Sequence, residues 1–472
     1  MERRDFITSG VLGLMGAGLL KSSSVQASAL RSPNKPKNII FLISDGMSQG
    51  VPSLAEPFSQ LVRSKGTRFA ELMANRRVAK GFFDTASLDS LVTDSAAAGS
   101  AWGSGSRVNN GAINTLPNGT ALTTIGELAQ GIGKKIGLVT TTEVTHATPA
   151  CFVCATASRG SQDEIAERML GRADFIMGGG TKHFDPASRS DGKNMYELYS
   201  NAGYTVLRSK EEFNQLNPQR KTLGVFTQGH LPYTVDQRES EELKRTVPTL
   251  SEMTKLALEH LANSGNGFLL QVEGGRVDHA AHANDSAAII WDQLAFDDAV
   301  DTALEFARAT GDTLVIVTSD HGNANPGLNG IGSRYASSTQ FFERLAPSKA
   351  SYGAIRDVLK NVGFQPNTVQ QVFNTLLGLE LSMEEAQTLA QTFTNSLPPE
   401  LHNQHNNPNG IWGQVIGNHT GIGWVGTTHT NDYTLVLAEG PGQEAFNGLL
   451  QNTDAFYILT GLWDIQFRNP SI

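Results

Sequence analysis

Cysteine is nearly absent from this 472-residue chain, which has only Cys151 and Cys154, in the run Cys-Phe-Val-Cys. Two cysteines cannot build a disulfide framework, and no second CxxC pair completes a four-cysteine structural zinc site. The pair reads as two small apolar residues on a buried helix, with a disulfide as the alternative. Positive charge is also scarce: 37 Lys and Arg stand against 46 Asp and Glu, for a net charge of −9. That balance excludes a general nucleic-acid or anionic-membrane binder, because phosphate backbones demand a positive surface. It does not exclude a small phosphorylated ligand, since bound cations can dominate the field inside a pocket. No run approaches the roughly 20 apolar residues that a membrane-spanning helix needs. No GxSxG elbow occurs around Ser95, so a serine-esterase triad is not indicated.

Hydrophobic residues make up 39% of the chain and charged residues 18%, enough apolar material for a large core and too little charge for global disorder. Residues 1–29 have the layout of a twin-arginine export signal. Arg3 and Arg4 precede Asp5-Phe6-Ile7, a glycine-rich apolar stretch runs from Phe6 to Leu20, and Ala27-Ser28-Ala29 resembles a peptidase site. The expected mature chain is residues 30–472, located in the periplasm or secreted.

Several apolar runs end at polar, glycine-rich turns. They are Asn38–Ser44, Lys135–Thr142, Phe268–Val272, Thr313–Thr318 and Tyr433–Ala438, the last taken as the final strand. Continuous apolar runs predict strands buried on both faces, as in a parallel sheet. Amphipathic helices are predicted between them, most clearly over Thr249–Ala262 and Ile290–Thr310. This alternation predicts an α/β fold: a doubly wound, mostly parallel central sheet with helices on both faces. The stretch 323–418 breaks the pattern. It carries two helical segments, Ser351–Val362 and Met383–Phe393, and a polar run, His402–Asn409. It reads as an inserted lid or crown, with a small independent domain as the alternative.

Ligands of doubly wound sheets bind beyond the carboxyl ends of strands, and Asp45, Glu273 and Asp320 all fall there. Asp278 and His282, four residues apart, would share one helix face. Asp320 and His321 are adjacent at a strand end, and His429 precedes the strand that begins near Tyr433. Carboxylates together with imidazoles form a zinc ligand set. Ser95, in Thr93-Asp94-Ser95-Ala96-Ala97-Ala98-Gly99, stands before small residues at the start of a helix, where backbone N–H groups favour an anion. A serine hydroxyl needs a base or a metal to become a nucleophile.

These residues carry a resemblance. FLISDGMS, TDSAAAG, VTHATPA, QVEGGRVDHAAH, VTSDHGNA and THTNDYTLVLAEGP follow one another in the order found in the alkaline phosphatase family, from Asn38 onward. The resemblance implies a phosphomonoester hydrolase active at alkaline pH through a phosphoserine on Ser95. It implies two Zn2+ ions and one Mg2+ ion, small phosphate monoesters as substrates, and a homodimer. It assigns Asp278, His282 and His429 to the first zinc, and Asp45, Asp320 and His321 to the second. Asp45, Thr148 and Glu273 complete the third site, and Arg159 clamps the phosphate. His146 and His279 stand where the best-known bacterial form has aspartate and lysine. Their imidazoles lie near the third site and the phosphate, so that site takes Zn2+ or Co2+ in competition with Mg2+. His419 is a rival to His429 but falls outside the family pattern. A phosphodiesterase of the same superfamily and a non-catalytic phosphate or metal binder are the alternatives. A sulfatase would need a C/S-x-P-x-R motif, which Ser95 lacks.

Overall fold

The computed structural model describes residues 35–393 and 407–470. The export-signal expectation over 1–29, and residues 402–406 of the polar run, lie outside the described residues. Among the described residues, fourteen strands occur in chain order: β1 (Asn38–Ile43), β2 (Ala79–Asp84), β3 (Lys135–Glu143), β4 (Phe175–Gly179), β5 (Tyr204–Leu207), β6 (Lys221–Val225), β7 (Phe268–Glu273), β8 (Thr313–Thr318), β9 (Gly322–Asn323), β10 (Gly327–Leu328), β11 (Ile422–Gly423), β12 (His429–Thr430), β13 (Thr434–Glu439) and β14 (Gly448–Gln451). Ten of them form one sheet, in the order β14-β2-β13-β8-β1-β7-β3-β4-β6-β5.

The apolar runs behave as their composition dictates. Along β1, Ile40 and Leu42 enter the core on one face of the sheet, while Ile39, Phe41 and Ile43 enter the core on the other. β8 divides in the same way, with Val315 and Val317 on one side and Leu314 and Ile316 on the other. Side chains of a strand alternate between faces, so a strand covered on both sides is apolar at most positions. Helices Gly50–Arg63, Leu250–Leu261 and Ser286–Thr310 cover the first face, and Ile125–Gly131 and Asp454–Leu462 the second. Thr249 caps its helix reciprocally with Glu252, and Asp285 caps the helix that starts at Ser286. Such caps satisfy N–H groups that have no intrahelical partner.

Two expectations need correction. The run near Tyr433 is not the final strand, because β14 follows it along the sheet edge. Within the sheet only β13 runs against its neighbours, pairing antiparallel with β2 and β8. The chain leaves β12 at the carboxyl end of the sheet and starts β13 within a few residues. A parallel return would need a crossover of a dozen residues or more.

Among its described residues, the stretch assigned to the insertion contains four longer helices, not two: Tyr352–Val362, Pro366–Leu377, Met383–Gln391 and Pro408–Thr420, the last running just past it. Two of them begin on proline, whose fixed φ suits a first helical position. They enclose a separate apolar cluster around Trp412, Phe373 and Tyr352. Asn323, the first residue of the expected insertion, instead pairs with His429 across β9 and β12.

Candidate active site

The adjacent central strands β8, β1, β7 and β3 all point their carboxyl ends at one place. β1 is followed by Asp45, β7 ends on Glu273, β8 is followed by Asp320 and His321, and β3 leads into His146 and the helix Ala147–Cys151, which carries Thr148. Asp278 and His282 lie on the helix Arg276–His282, where four-residue spacing puts both on one face. Gly46 has φ +68°, and a Cβ there would meet Asp278 Oδ1 at 2.6 Å. Only glycine lets the turn after β1 approach that helix so closely.

Three groups of donor atoms result, each with its atoms within 4.8 Å of one another: Asp278, His282 and His429; Asp45, Asp320 and His321; and Asp45, His146 and Glu273. The structure therefore brings the sequence-predicted aspartate, glutamate and histidine ligands into one region, and Thr148 stands beside Glu273 there. His419 is not among them. It pairs with Glu385 at 3.1 Å, within the inserted helices.

Tautomers can be read from the partners. His282 Nδ1 faces Thr427 O at 2.8 Å and His429 Nδ1 faces Thr93 O at 2.9 Å. A carbonyl only accepts, so each imidazole carries a proton on Nδ1 and, in its neutral form, turns an Nε2 lone pair inward. Those two Nε2 atoms lie 3.1 Å apart, and Asp278 stands 3.4 Å from one and 3.5 Å from the other. Burial would lower the pKa of His282, yet Asp278 raises it to about 9: the site attracts a cation. In the second group His321 Nδ1 faces Gly322 O, and its Nε2 lies 3.2 Å from Asp320 Oδ2 and 3.6 Å from Asp45 Oδ1.

The acids are placed at a cost. Burial, then Asp320, Asp278 and Glu273, push the Asp45 carboxyl well above its usual range. Burial brings Asp320 to about 7. Both oxygens of Asp45, Asp320 Oδ2, Glu273 Oε1, His146 Nδ1 and Thr148 Oγ1 are buried without hydrogen-bond partners. Buried polar atoms are nearly always paired, and here the unpaired ones converge. Carboxylate and imidazole donors suit zinc in the first two groups; the third, with more oxygen, suits magnesium or a competing zinc ion. The residues fit divalent cations.

Ser95 opens the helix Ser95–Ser104 and is 2% exposed. Its Oγ lies 3.2 Å from His321 Nε2. The small residues behind it serve packing: a Cβ on Gly99 would meet Cys151 Sγ at 2.9 Å, and one on Gly103 would meet Cys151 O at 2.1 Å. Cys151 ends its helix, and Cys154 lies beyond that helix, not on it. Both thiols are free and buried.

Arg159 comes from an irregular segment after that helix. Its Nη1 donates to Asp94 Oδ2 at 2.9 Å and its Nη2 to His146 Nε2 at 3.0 Å. Asp94 was not singled out from sequence as a partner of Arg159. It also caps the Ser95 helix, accepting from Ala97 N. The N-cap position was a legible signal, but the arginine contact was not. His230 was missed entirely, and no local pattern marks it. Its ring lies 4.4 Å from His279 and 5.9 Å from His146, beside the third group. Asn323 was likewise missed; it donates to Asp278 Oδ1 at 2.6 Å.

Comparison with known proteins places the chain in a family. The family model for alkaline phosphatase matches residues 36–464. Alkaline phosphatase 4 of Bacillus subtilis is 30% identical over 468 residues, covering 95% of this chain and 94% of that protein. The alkaline phosphatase of Escherichia coli K12 is 31% identical, covering 65% of this chain and 75% of its own. The crystal structure of Thermus thermophilus alkaline phosphatase superposes with a TM-score of 0.87 at 35% identity, covering 93% of each chain. The chain therefore belongs to the alkaline phosphatase family of metal-dependent phosphomonoester hydrolases.

Proposed function

We propose that Ser95 is the nucleophile of this phosphomonoesterase and that phosphate passes through a covalent phosphoserine. The observation that carries the reading is the approach of Ser95 Oγ to His321 Nε2 at 3.2 Å, within the group that also holds Asp45 and Asp320. Asp278, His282 and His429 would hold one zinc ion, and Asp45, Asp320 and His321 a second. Asp45, Thr148 and Glu273, with His146 beside them, would hold magnesium or a competing zinc ion. When bound, such cations lower the pKa of a hydroxyl and neutralise the oxygens of an in-line displacement.

The chain's own residues do the positioning. The Ser95 helix holds its first residue at an N-terminus that favours an anion, and Asp94 keeps that end capped. Arg159, steered by Asp94 and His146, is the cation available for non-bridging phosphate oxygens, which a planar guanidinium fork grips well. The Ser95 oxygen bonds to phosphorus as the ester oxygen departs, and water then cleaves the phosphoserine and releases inorganic phosphate. Phosphoryl transfer asks mainly for such positioning and charge neutralisation. Ligands that bind only when deprotonated favour activity on the alkaline side.

Residues 1–29 support export to the periplasm or the medium. The inserted helices read as a lid or crown: Asn409 reaches His282 O at 3.0 Å, so this segment touches the site. The test is hydrolysis of a chromogenic phosphate monoester beside its diester and sulfate analogues, before and after chelation. Monoester turnover that is lost with chelator, restored by zinc and abolished in Ser95→Ala supports the reading. Preference for the diester moves the protein to another branch of the superfamily. Full metal content without turnover favours a binder.

A further inference from the structure

Two histidines whose rings lie beside His146 of the third group, His279 and His230, are each held at Nδ1 by a group that can only donate. Arg276 Nη1 lies 2.8 Å from His279 Nδ1, and a guanidinium has no acceptor. His279 Nδ1 must therefore be the lone pair, which puts its proton on Nε2. The backbone N–H of Glu143 donates to His230 Nδ1 at 3.1 Å, with the same consequence. This is the reverse of His282 and His429, whose Nδ1 atoms face carbonyls and whose Nε2 atoms are lone pairs. One region thus contains two classes of imidazole, distinguished by what stands behind them.

Arg276 is itself well placed to hold its end of the bond. Its guanidinium lies 3.7 Å over the Tyr233 ring, a stacking arrangement that suits arginine better than lysine. Its backbone N–H donates to Thr141 Oγ1. The buried carboxyls of Asp292 and Asp236 feel its charge. Asp292 is tied to Thr234, and Asp236 to Ser351 at the foot of the inserted helices. His279 Nε2 makes no hydrogen bond among the described residues, and its ring is 5.9 Å from that of His146, the partner of Arg159.

We propose that Arg276 is a positioning residue: by donating to His279 Nδ1 it fixes His279 as a neutral Nε2–H hydrogen-bond donor to a phosphoryl oxygen, and so bars it from acting as a metal ligand through that nitrogen. The proposal rests on the phosphoryl-transfer reading of the site. His230, held by the Glu143 amide, supports the same polarity from the next ring. Lysine in place of Arg276 keeps a donor and a charge, whereas glutamine can present either a donor or an acceptor and leaves the tautomer unspecified.

The experiment is long-range 1H–15N spectroscopy of the metal-loaded enzyme labelled with 15N-histidine, with His279 assigned by its loss in His279→Gln. The expected result is a protonated Nε2 and an unprotonated, hydrogen-bonded Nδ1. In Arg276→Gln the signal should become a tautomer mixture, and in Arg276→Lys it should keep the wild-type pattern. Kinetics should follow: kcat/KM for a phosphate monoester falls roughly 10-fold or more in Arg276→Gln, in the range usual for groups behind a site, and recovers in part in Arg276→Lys. Protonated Nδ1 in the wild type overturns the proposal even if no Arg276 variant folds. So does an unchanged tautomer in a folded Arg276→Gln. Neither result bears on whether Ser95 is the nucleophile, which the Ser95→Ala assay reads independently.

Discussion

Asp94 joins the two halves of the phosphate site: one oxygen caps the helix that begins at Ser95, and the other accepts from Arg159 Nη1 at 2.9 Å. One carboxylate thus sets both the nucleophile's helix and the direction of the cation that faces it. Asp94→Ala should lose about 1 kcal/mol from the cap alone. It should also release Arg159 on one side, raising KM and the inhibition constant for inorganic phosphate together. Thermal unfolding and product-inhibition kinetics measure the two effects separately; unchanged phosphate inhibition would show that Asp94 serves only the helix.

Gly46→Ala should be damaging out of proportion to one methyl group. The residue has φ +68°, and the new Cβ would lie 2.6 Å from Asp278 Oδ1 and 2.9 Å from the Asp278 backbone. Strain at positive φ costs about 1 kcal/mol or more, and the displaced carboxylate belongs to the first ligand group. We expect a lower melting temperature and a loss of zinc, both visible in one calorimetric and metal-content comparison. A variant with normal zinc content would mean that the helix Arg276–His282 yields without moving its ligands.

Zinc affinity should rise with pH up to about 9. Burial opposes the proton on His282, but Asp278 outweighs it and raises the folded pKa to about 9, against about 6.5 in an unfolded chain. The stability contributed by this proton is fully present below about pH 6.5 and is lost as pH rises through 9. Metal must displace it, so binding releases a proton across that window. The melting-temperature gap between zinc-loaded and chelated protein should therefore widen from pH 6.5 to 9. Isothermal titration in buffers of different ionisation enthalpy counts the proton directly, and no release at pH 7.5 would contradict the assignment.

The two thiols should be inert in the folded protein. Both are buried, and burial pushes Cys154 up to about 12 and Cys151 higher still. A reactive cysteine needs an accessible thiolate. A thiol-specific chromogenic reagent should register no cysteine under native conditions and two after unfolding, and activity should be indifferent to reductant.

Much of the architecture was legible because it is written locally. A strand buried on both faces is mostly apolar on both, so β1, β7 and β8 stood out and their ends marked Asp45, Glu273 and Asp320. Asp278 and His282 could be paired because helical spacing is fixed. Strands β2, β4 and β6 were not legible: each is short and interrupted by glycine, as in Ala79-Lys-Gly-Phe-Phe-Asp.

The sequence by itself determined which residue types stand at strand ends and helix starts, because hydrophobic periodicity and capping are properties of neighbours along the chain. Only the tertiary structure decided which of them meet. His429 approaches His282 from 147 positions away, and Arg159 finds Asp94 from 65. His230, unmarked by any motif, arrives beside His279. The tautomer of each imidazole was decided there too, because it depends on whether a carbonyl, an amide or a guanidinium lies behind the ring. Those partners are brought together by packing around a shared sheet, which no local pattern encodes.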